Sequence, residues 1–101
     1  MKNIYTWAAQ PAKRTLTVAD LKAAKGKKKF TQVTANSNEE ADAAEKAGFD
    51  MIICQAKNVL KAREGSKHLF LTASLILNEY VTNEDIMRGA FKALENGADA
   101  V

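Results

Sequence analysis

Lys57 carries the amine best placed in this sequence to serve a ligand, because it comes shortly after the apolar run Met51–Cys54. A lysine at the end of a strand can hold a carboxylate or a phosphate by its charge. It can also form a Schiff base with a carbonyl carbon. In the alternative interpretation Lys57 is an exposed loop lysine whose amine is simply solvated. We take it as the candidate catalytic residue.

Hydroxyl and amide side chains end or follow two of the predicted strands. Thr34 and Asn36 follow the first strand, and Thr72 and Ser74 lie at the end of another. The carboxyl ends of parallel strands in a barrel form one mouth, so we predict that these four residues bind substrate by hydrogen bonds. Asn36 and Thr34 serve a turn or a helix start in the alternative interpretation.

Cys54 is the only cysteine of the chain, which excludes an internal disulfide and a cysteine-rich zinc site. Its place in an apolar strand indicates a buried packing residue. The other interpretation is a thiol that lines a pocket or reacts there, and we therefore include Cys54 among the substrate-binding candidates.

A repeated unit of helix, glycine and short apolar strand must position these side chains. One copy runs from the helix cap Ser37 to Gly48 and into the strand that ends at Cys54, and a second runs from Thr82 to Gly97 and into Ala98–Val101. This repeat is the sequence form of an α/β fold in which parallel strands alternate with helices. A third helix is predicted after Thr17, and a helical turn is predicted at Val59–Ala62. We predict four strands: 30–35, 51–54, 68–73 and 98–101.

The boundaries of this organisation follow from the same pattern. Residues 1–15 show no period and are expected to form a loop or N-terminal arm, whereas 16–101 hold three and a half βα units. The chain is thus a single domain or a barrel fragment, 1–101. Because the predicted first and last strands would be bare sheet edges and a closed barrel needs about 200 residues or more, we expect further chain to complete it.

Composition is that of an ordinary soluble globular protein, with 47% apolar and 27% charged residues and a net charge of +3. The lysine cluster at 25–29 lacks the aromatic side chains or motif typical of nucleic-acid recognition, so no nucleic-acid partner is expected. No apolar run approaches the length of a membrane helix, and no signal peptide is visible. We expect a cytoplasmic protein without a membrane partner.

The order of several segments adds a family resemblance. The segments TVADLKAAKGKKKFTQVTA, AGFDMII, FLTAS and ENGADAV resemble the N-terminal part of ketopantoate hydroxymethyltransferase (3-methyl-2-oxobutanoate hydroxymethyltransferase). The resemblance implies the N-terminal part of a (β/α)8 TIM barrel of the phosphoenolpyruvate/pyruvate superfamily. It also implies transfer of a hydroxymethyl group from methylenetetrahydrofolate to a branched 2-oxo acid, in pantothenate biosynthesis, with magnesium. A homo-oligomer is implied in the same way.

The sequence departs from that family at its metal ligands. The family has an aspartate within Gly-Asp-Ser at the end of strand two, where this chain has Gln55, Ala56 and Lys57. The family's second aspartate corresponds to Ser74. Magnesium prefers oxygen ligands, usually carboxylates and water, so the matching positions supply no metal site, and Lys57 is the alternative anchor.

Two other functions remain open beside the transferase. One is a diverged superfamily member with carbon–carbon lyase or aldolase chemistry, which the missing carboxylates and Lys57 favour. The other is a non-catalytic barrel fragment or binding module, which the short chain and the missing ligands favour.

Overall fold

The computed structural model describes residues 1–101 as a mixed α/β fold around a parallel sheet. A 3-10 turn, Ala56–Asn58, connects the second sheet strand to the helix that follows it. The elements in chain order are β1 (Lys2–Tyr5), β2 (Pro11–Arg14), α1 (Val18–Ala23), β3 (Gln32–Thr34), α2 (Asn38–Lys46), β4 (Met51–Gln55), α3 (Val59–Gly65), β5 (Phe70–Ser74) and α4 (Asn83–Glu95).

Three parallel strands form the central sheet in the order β3-β4-β5, which confirms the predicted α/β alternation. The register places Val33 beside Ile52 and Ile52 beside Leu71. The predicted fourth strand is reduced to a single parallel bridge between Thr72 and Ala100. The sheet therefore has three full strands, because the last residues make too few ladder hydrogen bonds to extend it.

Helix boundaries follow the local signals in the sequence. Thr17 and Thr82 each form a capping box, in which the threonine hydroxyl accepts a hydrogen bond from the backbone N–H three residues later and that aspartate accepts in return. At Ser37 only half of this device forms, because the Glu40 carboxylate accepts from the serine hydroxyl instead of from the backbone. Gly97 then reverses the chain after α4 with φ 113°, a conformation that glycine adopts without steric cost.

One face of the sheet is tightly packed against helices. Ile52, Cys54, Leu71 and Ala73 lie on that face and are at most 1% exposed. Side chains alternate between the two faces of a strand, and the strand neighbours on the other face are only partly buried, except Phe70, which is 4% exposed. Alanines on α2 and α3 allow the two helices to come close to each other and to the sheet: Ala41, Ala44 and Ala62.

The first fifteen residues, expected to be a loop or an N-terminal arm, contain two strands that the sequence interpretation did not predict. β1 and β2 pair as an antiparallel hairpin in which Ile4 lies opposite Ala12. The Trp7 ring in the connecting turn stacks on Phe91 of α4, with ring centroids 5.5 Å apart. Most hairpin side chains are exposed on both faces, so the strands lack the alternating polarity that marks a half-buried strand.

An ion cluster joins this hairpin to the rest of the chain. The Arg14 Nε–H donates to both Asp99 carboxylate oxygens at 3.0 and 2.9 Å, and Arg63 Nη2 donates to Asp99 Oδ2 at 2.7 Å. The backbone N–H of Leu71 donates to the same oxygen at 3.1 Å. The side chains of Arg14, Arg63 and Asp99 are 4%, 11% and 11% exposed, so the cluster is largely removed from water.

Arg63 is a largely buried residue of α3 that makes several contacts beyond Asp99. Its guanidinium donates to the carbonyl oxygens of Gly97, Ser66 and Leu69 as well as to Asp99. Burial lowers the pKa of Arg63 to about 10, and the nearby Asp99 carboxylate acts in the opposite direction. Arg63 therefore remains charged at neutral pH and holds α3 against the last residues of the chain.

None of the helices combines the length and apolar character that crossing a membrane requires.

Replacing Asp99 by asparagine should destabilise the fold severely. The Asp99→Asn variant keeps the side-chain shape but leaves two buried guanidinium groups without a counter-charge, which costs about 3–5 kcal/mol. Chemical denaturation followed by circular dichroism measures the change. The matched control is Asp42→Asn, which removes only an exposed ion pair with Lys46 and should leave the transition nearly unchanged. Equal effects of the two substitutions would contradict the assigned role of the cluster.

Gly65→Ala should also lower the free energy of unfolding, by about 1–3 kcal/mol. A Cβ atom at Gly65 would collide with the backbone of Asn38 at the start of α2, and backbone cannot move aside easily. In the control, Gly89→Ala, the new Cβ meets the Tyr80 ring, a side chain that can turn. Alanine's better helix propensity, about 1 kcal/mol, offsets part of that clash. A larger loss of stability at Gly89 than at Gly65 would refute the close approach of α2 and α3.

Candidate functional site

The second face of the sheet is less tightly packed, since its side chains other than Phe70 are partly buried or exposed, and we call it the open face. Its side chains at the carboxyl-terminal half form two rows across the strands. Thr34, Ile53 and Thr72 share one register row, and Gln55 and Ser74 share the next. The structure thus brings together three of the predicted substrate-binding residues, Thr34, Thr72 and Ser74, at one end of one face.

Gln55 is a functional candidate that the sequence interpretation did not single out. Its side-chain oxygen Oε1 is buried, yet it has no hydrogen-bond partner. Buried polar groups nearly always have a partner, so an exception calls for an explanation such as a ligand or a functional role. In register, Gln55 lies directly beside Ser74. In the sequence, the only sign of this role is that a polar residue follows an apolar strand. That pattern does not distinguish a residue that binds a ligand from one that forms a turn.

Asn36 has the turn role that the sequence left open. Its Oδ1 accepts a hydrogen bond from the backbone N–H of Gln55 at 2.9 Å and another from Asn58 Nδ2 at 3.1 Å. These two bonds tie the loop after β3 to the end of β4. Asn36 therefore positions the strand end that carries Gln55, and any contact of Asn36 with substrate stays a prediction.

Lys57 extends away from the row of hydroxyl groups. Its Nζ lies 3.3 Å from Glu79 Oε1, and its side chain is 58% exposed. Together with Arg88 and Lys92 it lines a groove of ≈ 570 Å³ beside α4. Lys57 lies away from the hydroxyl groups because β4 ends at Gln55 and the 3-10 turn that begins at Ala56 changes the direction of the chain. The catalytic role of Lys57 stays a prediction, and the structure does not bring it to the open face.

Cys54 lies on the packed face, opposite the hydroxyl rows, and is 1% exposed. Burial raises the pKa of its thiol to about 11, and the positive charge of Arg63 opposes this shift in part. The thiol is therefore neutral at physiological pH and a weak nucleophile. Its position matches the packing interpretation, although its predicted contact with substrate has not been tested.

The residues at the expected metal positions do not fit magnesium. Ala56 is 8% exposed and has no ligand atom in its side chain, and Ser74 offers only a hydroxyl. The chain contains no group of three or more histidine, cysteine, aspartate or glutamate side chains arranged to hold a metal ion. These two positions therefore offer no carboxylate ligand to magnesium.

Comparison of the chain with protein-family models, with curated proteins and with solved structures found no match.

The raised pKa of Cys54 predicts how stability changes in alkaline solution. Because the thiol has a pKa of about 11 in the folded protein and 9.0 ordinarily, the unfolded chain loses this proton first as the pH rises. The free energy of unfolding should therefore fall between pH 9 and 11. Urea unfolding at several pH values measures this free energy. The same measurement on the Cys54→Val variant gives the pH dependence due to all other groups, and the difference between the two proteins is the contribution of the thiol. An identical pH dependence in both proteins would show that Cys54 does not contribute.

Proposed function

We propose that this chain forms the substrate-binding edge of a ketopantoate hydroxymethyltransferase-like enzyme and binds a branched 2-oxo acid on the open face. In this proposal the sheet and its helices are the N-terminal part of a (β/α)8 barrel. The observation that carries it is the buried, unpartnered Oε1 of Gln55. This atom lies at the strand ends where a barrel enzyme binds its substrate.

The open face supports a ligand that accepts hydrogen bonds, as the carboxylate and keto oxygens of a 2-oxo acid do. The hydroxyl groups of Thr34, Thr72 and Ser74 can donate to these oxygens. The Gln55 amide binds them by turning about its last side-chain bond, which brings its Nε2 hydrogens to the position of the unpartnered Oε1. A hydrogen bond to the keto oxygen stabilises the enolate that forms when the neighbouring carbon loses its proton. In the overall reaction that the family resemblance implies, the one-carbon unit of methylenetetrahydrofolate would replace a hydrogen of that carbon. Water would supply the hydroxyl group, and tetrahydrofolate would leave with the displaced proton and the second hydrogen of the water.

Aldolase chemistry through a Schiff base at Lys57 is less well supported than substrate binding at the open face. A Schiff-base lysine is activated by a desolvated pocket or by a neighbouring cation. Lys57 is exposed and contacts the carboxylate of Glu79. Its charge is better suited to attracting an acidic substrate toward the strand ends.

Gln55→Leu should separate binding from stability. The substitution removes a buried polar group that lacks a partner, so we expect the free energy of unfolding to rise by about 1 kcal/mol. Affinity for 3-methyl-2-oxobutanoate should fall roughly tenfold or more, because the hydrogen bond that Gln55 Nε2 donates to the charged ligand is lost. Isothermal titration calorimetry of the full chain, with and without magnesium, measures binding, and urea denaturation measures stability.

Gln32→Leu is the matched control, because Gln32 lies on the same face at the opposite end of the strands and is exposed. It should change neither binding nor stability appreciably. If the unaltered protein has no affinity for 2-oxo acids under either condition, the transferase proposal is wrong and a non-catalytic role gains support. Unchanged binding by Gln55→Leu would also refute the assigned site.

A further inference from the structure

A second cleft lies at the amino-terminal edge of the sheet, at the opposite end of the strands from Gln55. It occupies ≈ 420 Å³ between the hairpin, the end of α3 and the chain at 96–97. The size is within the range of small-molecule sites, about 300–1,000 Å³. Its lining includes five basic side chains and no acidic one: Lys13, Arg14, Arg63, Lys67 and His68.

The electrostatic balance of this cleft is positive. Lys13, Lys67 and the two arginines supply four permanent positive charges. Two carboxylates face them from behind the lining. Asp99 bonds both arginines, and Glu45 lies 3.6 Å from His68 Nδ1 and accepts from the Ser66 hydroxyl. Two negative charges thus oppose four positive ones, in surroundings where burial strengthens electrostatic interactions.

The two buried guanidinium groups also retain unused hydrogen-bonding capacity. Each Nη2 nitrogen carries two hydrogens. Arg63 Nη2 donates only to Asp99, and Arg14 Nη2 makes only a long contact of 3.5 Å with the Gly97 carbonyl oxygen. Buried donors in proteins nearly always have an acceptor. An oxyanion supplies several acceptor atoms and a negative charge that would balance the excess positive charge of the cleft.

We propose that this cleft binds the phosphate group of a small phosphorylated molecule. The buried arginines hold the oxyanion, and the exposed Lys13 and Lys67 attract it and close over it. The volume leaves space for an organic group beyond the phosphate itself. The site is independent of the proposed transferase function, because it lies at the other end of the strands and shares no residue with the open face.

The lysine cluster at 25–29 is the competing basic surface. Its lysines are exposed, and Lys28 Nζ lies over the Phe30 ring at 5.2 Å from the ring centre. No buried donor is present among them, so this surface offers charge alone. It therefore provides the matched comparison for the cleft.

Isothermal titration calorimetry of the full chain tests the proposal at constant ionic strength, with inorganic phosphate, glycerol 3-phosphate and glycerol as probes. The Lys13→Gln/Lys67→Gln double variant should bind both phosphate probes roughly tenfold more weakly, through loss of two charge-assisted contacts. The control double variant, Lys25→Gln/Lys27→Gln, has the same net charge and should bind as the unaltered protein does. Because all four lysines are exposed, none of these changes should unfold the protein.

The outcomes distinguish the ligand source and the rival explanations. Tighter binding of glycerol 3-phosphate indicates a phosphorylated metabolite, and tighter binding of inorganic phosphate indicates the free anion; either result supports the oxyanion site. If neither phosphate probe binds more strongly than glycerol, the uncharged probe, the proposal is overturned and the Nη2 groups donate to water instead. Equal weakening by both double variants would overturn it as well, because the effect would then be general charge screening.

Discussion

Two arginines that share one buried carboxylate determine how the ends of this chain come together. Arg14 lies on the hairpin, Arg63 on α3 and Asp99 near the last residue. A guanidinium group removed from water requires a counter-charge and acceptors for its other N–H groups. Most of those acceptors are backbone carbonyl oxygens, including those of Lys67, Leu69 and Gly97. The hairpin, the third helix and the final segment are therefore held to the same edge of the sheet.

The two faces of the sheet divide stability from binding. The packed face buries Ile52 and Leu71 completely against alanine-rich helices, so small side chains and close approach supply much of the hydrophobic stabilisation. The open face instead retains hydroxyl groups and the unpaired Gln55 oxygen. A buried polar atom without a partner costs stability, and proteins commonly accept such a cost at sites that bind ligands.

The same arrangement separates two polar sites along the strands. Hydroxyl and amide groups collect at the carboxyl ends, whereas positive charge collects at the amino ends around the arginine cluster. With two arginines and one aspartate, the cluster keeps a net positive charge, and some of its N–H groups lack a strong acceptor. The aspartate therefore offsets only part of the cost of burying the two guanidinium groups. The interaction that closes the fold therefore also creates the chemistry that we propose for the basic cleft.

Local sequence patterns determined the alternation of helices and strands, and they predicted that Thr34, Asn36, Thr72 and Ser74 lie at the carboxyl ends of strands. Caps, terminal glycines and apolar runs act between residues a few positions apart, so they can be recognised without a structure. Tertiary structure alone decided the ion cluster, because Arg14 and Asp99 are 85 positions apart and no local pattern marks a charged residue that will be buried. It likewise decided that Gln55, and not Lys57, belongs to the open face, because the chain changes direction at the residue between them.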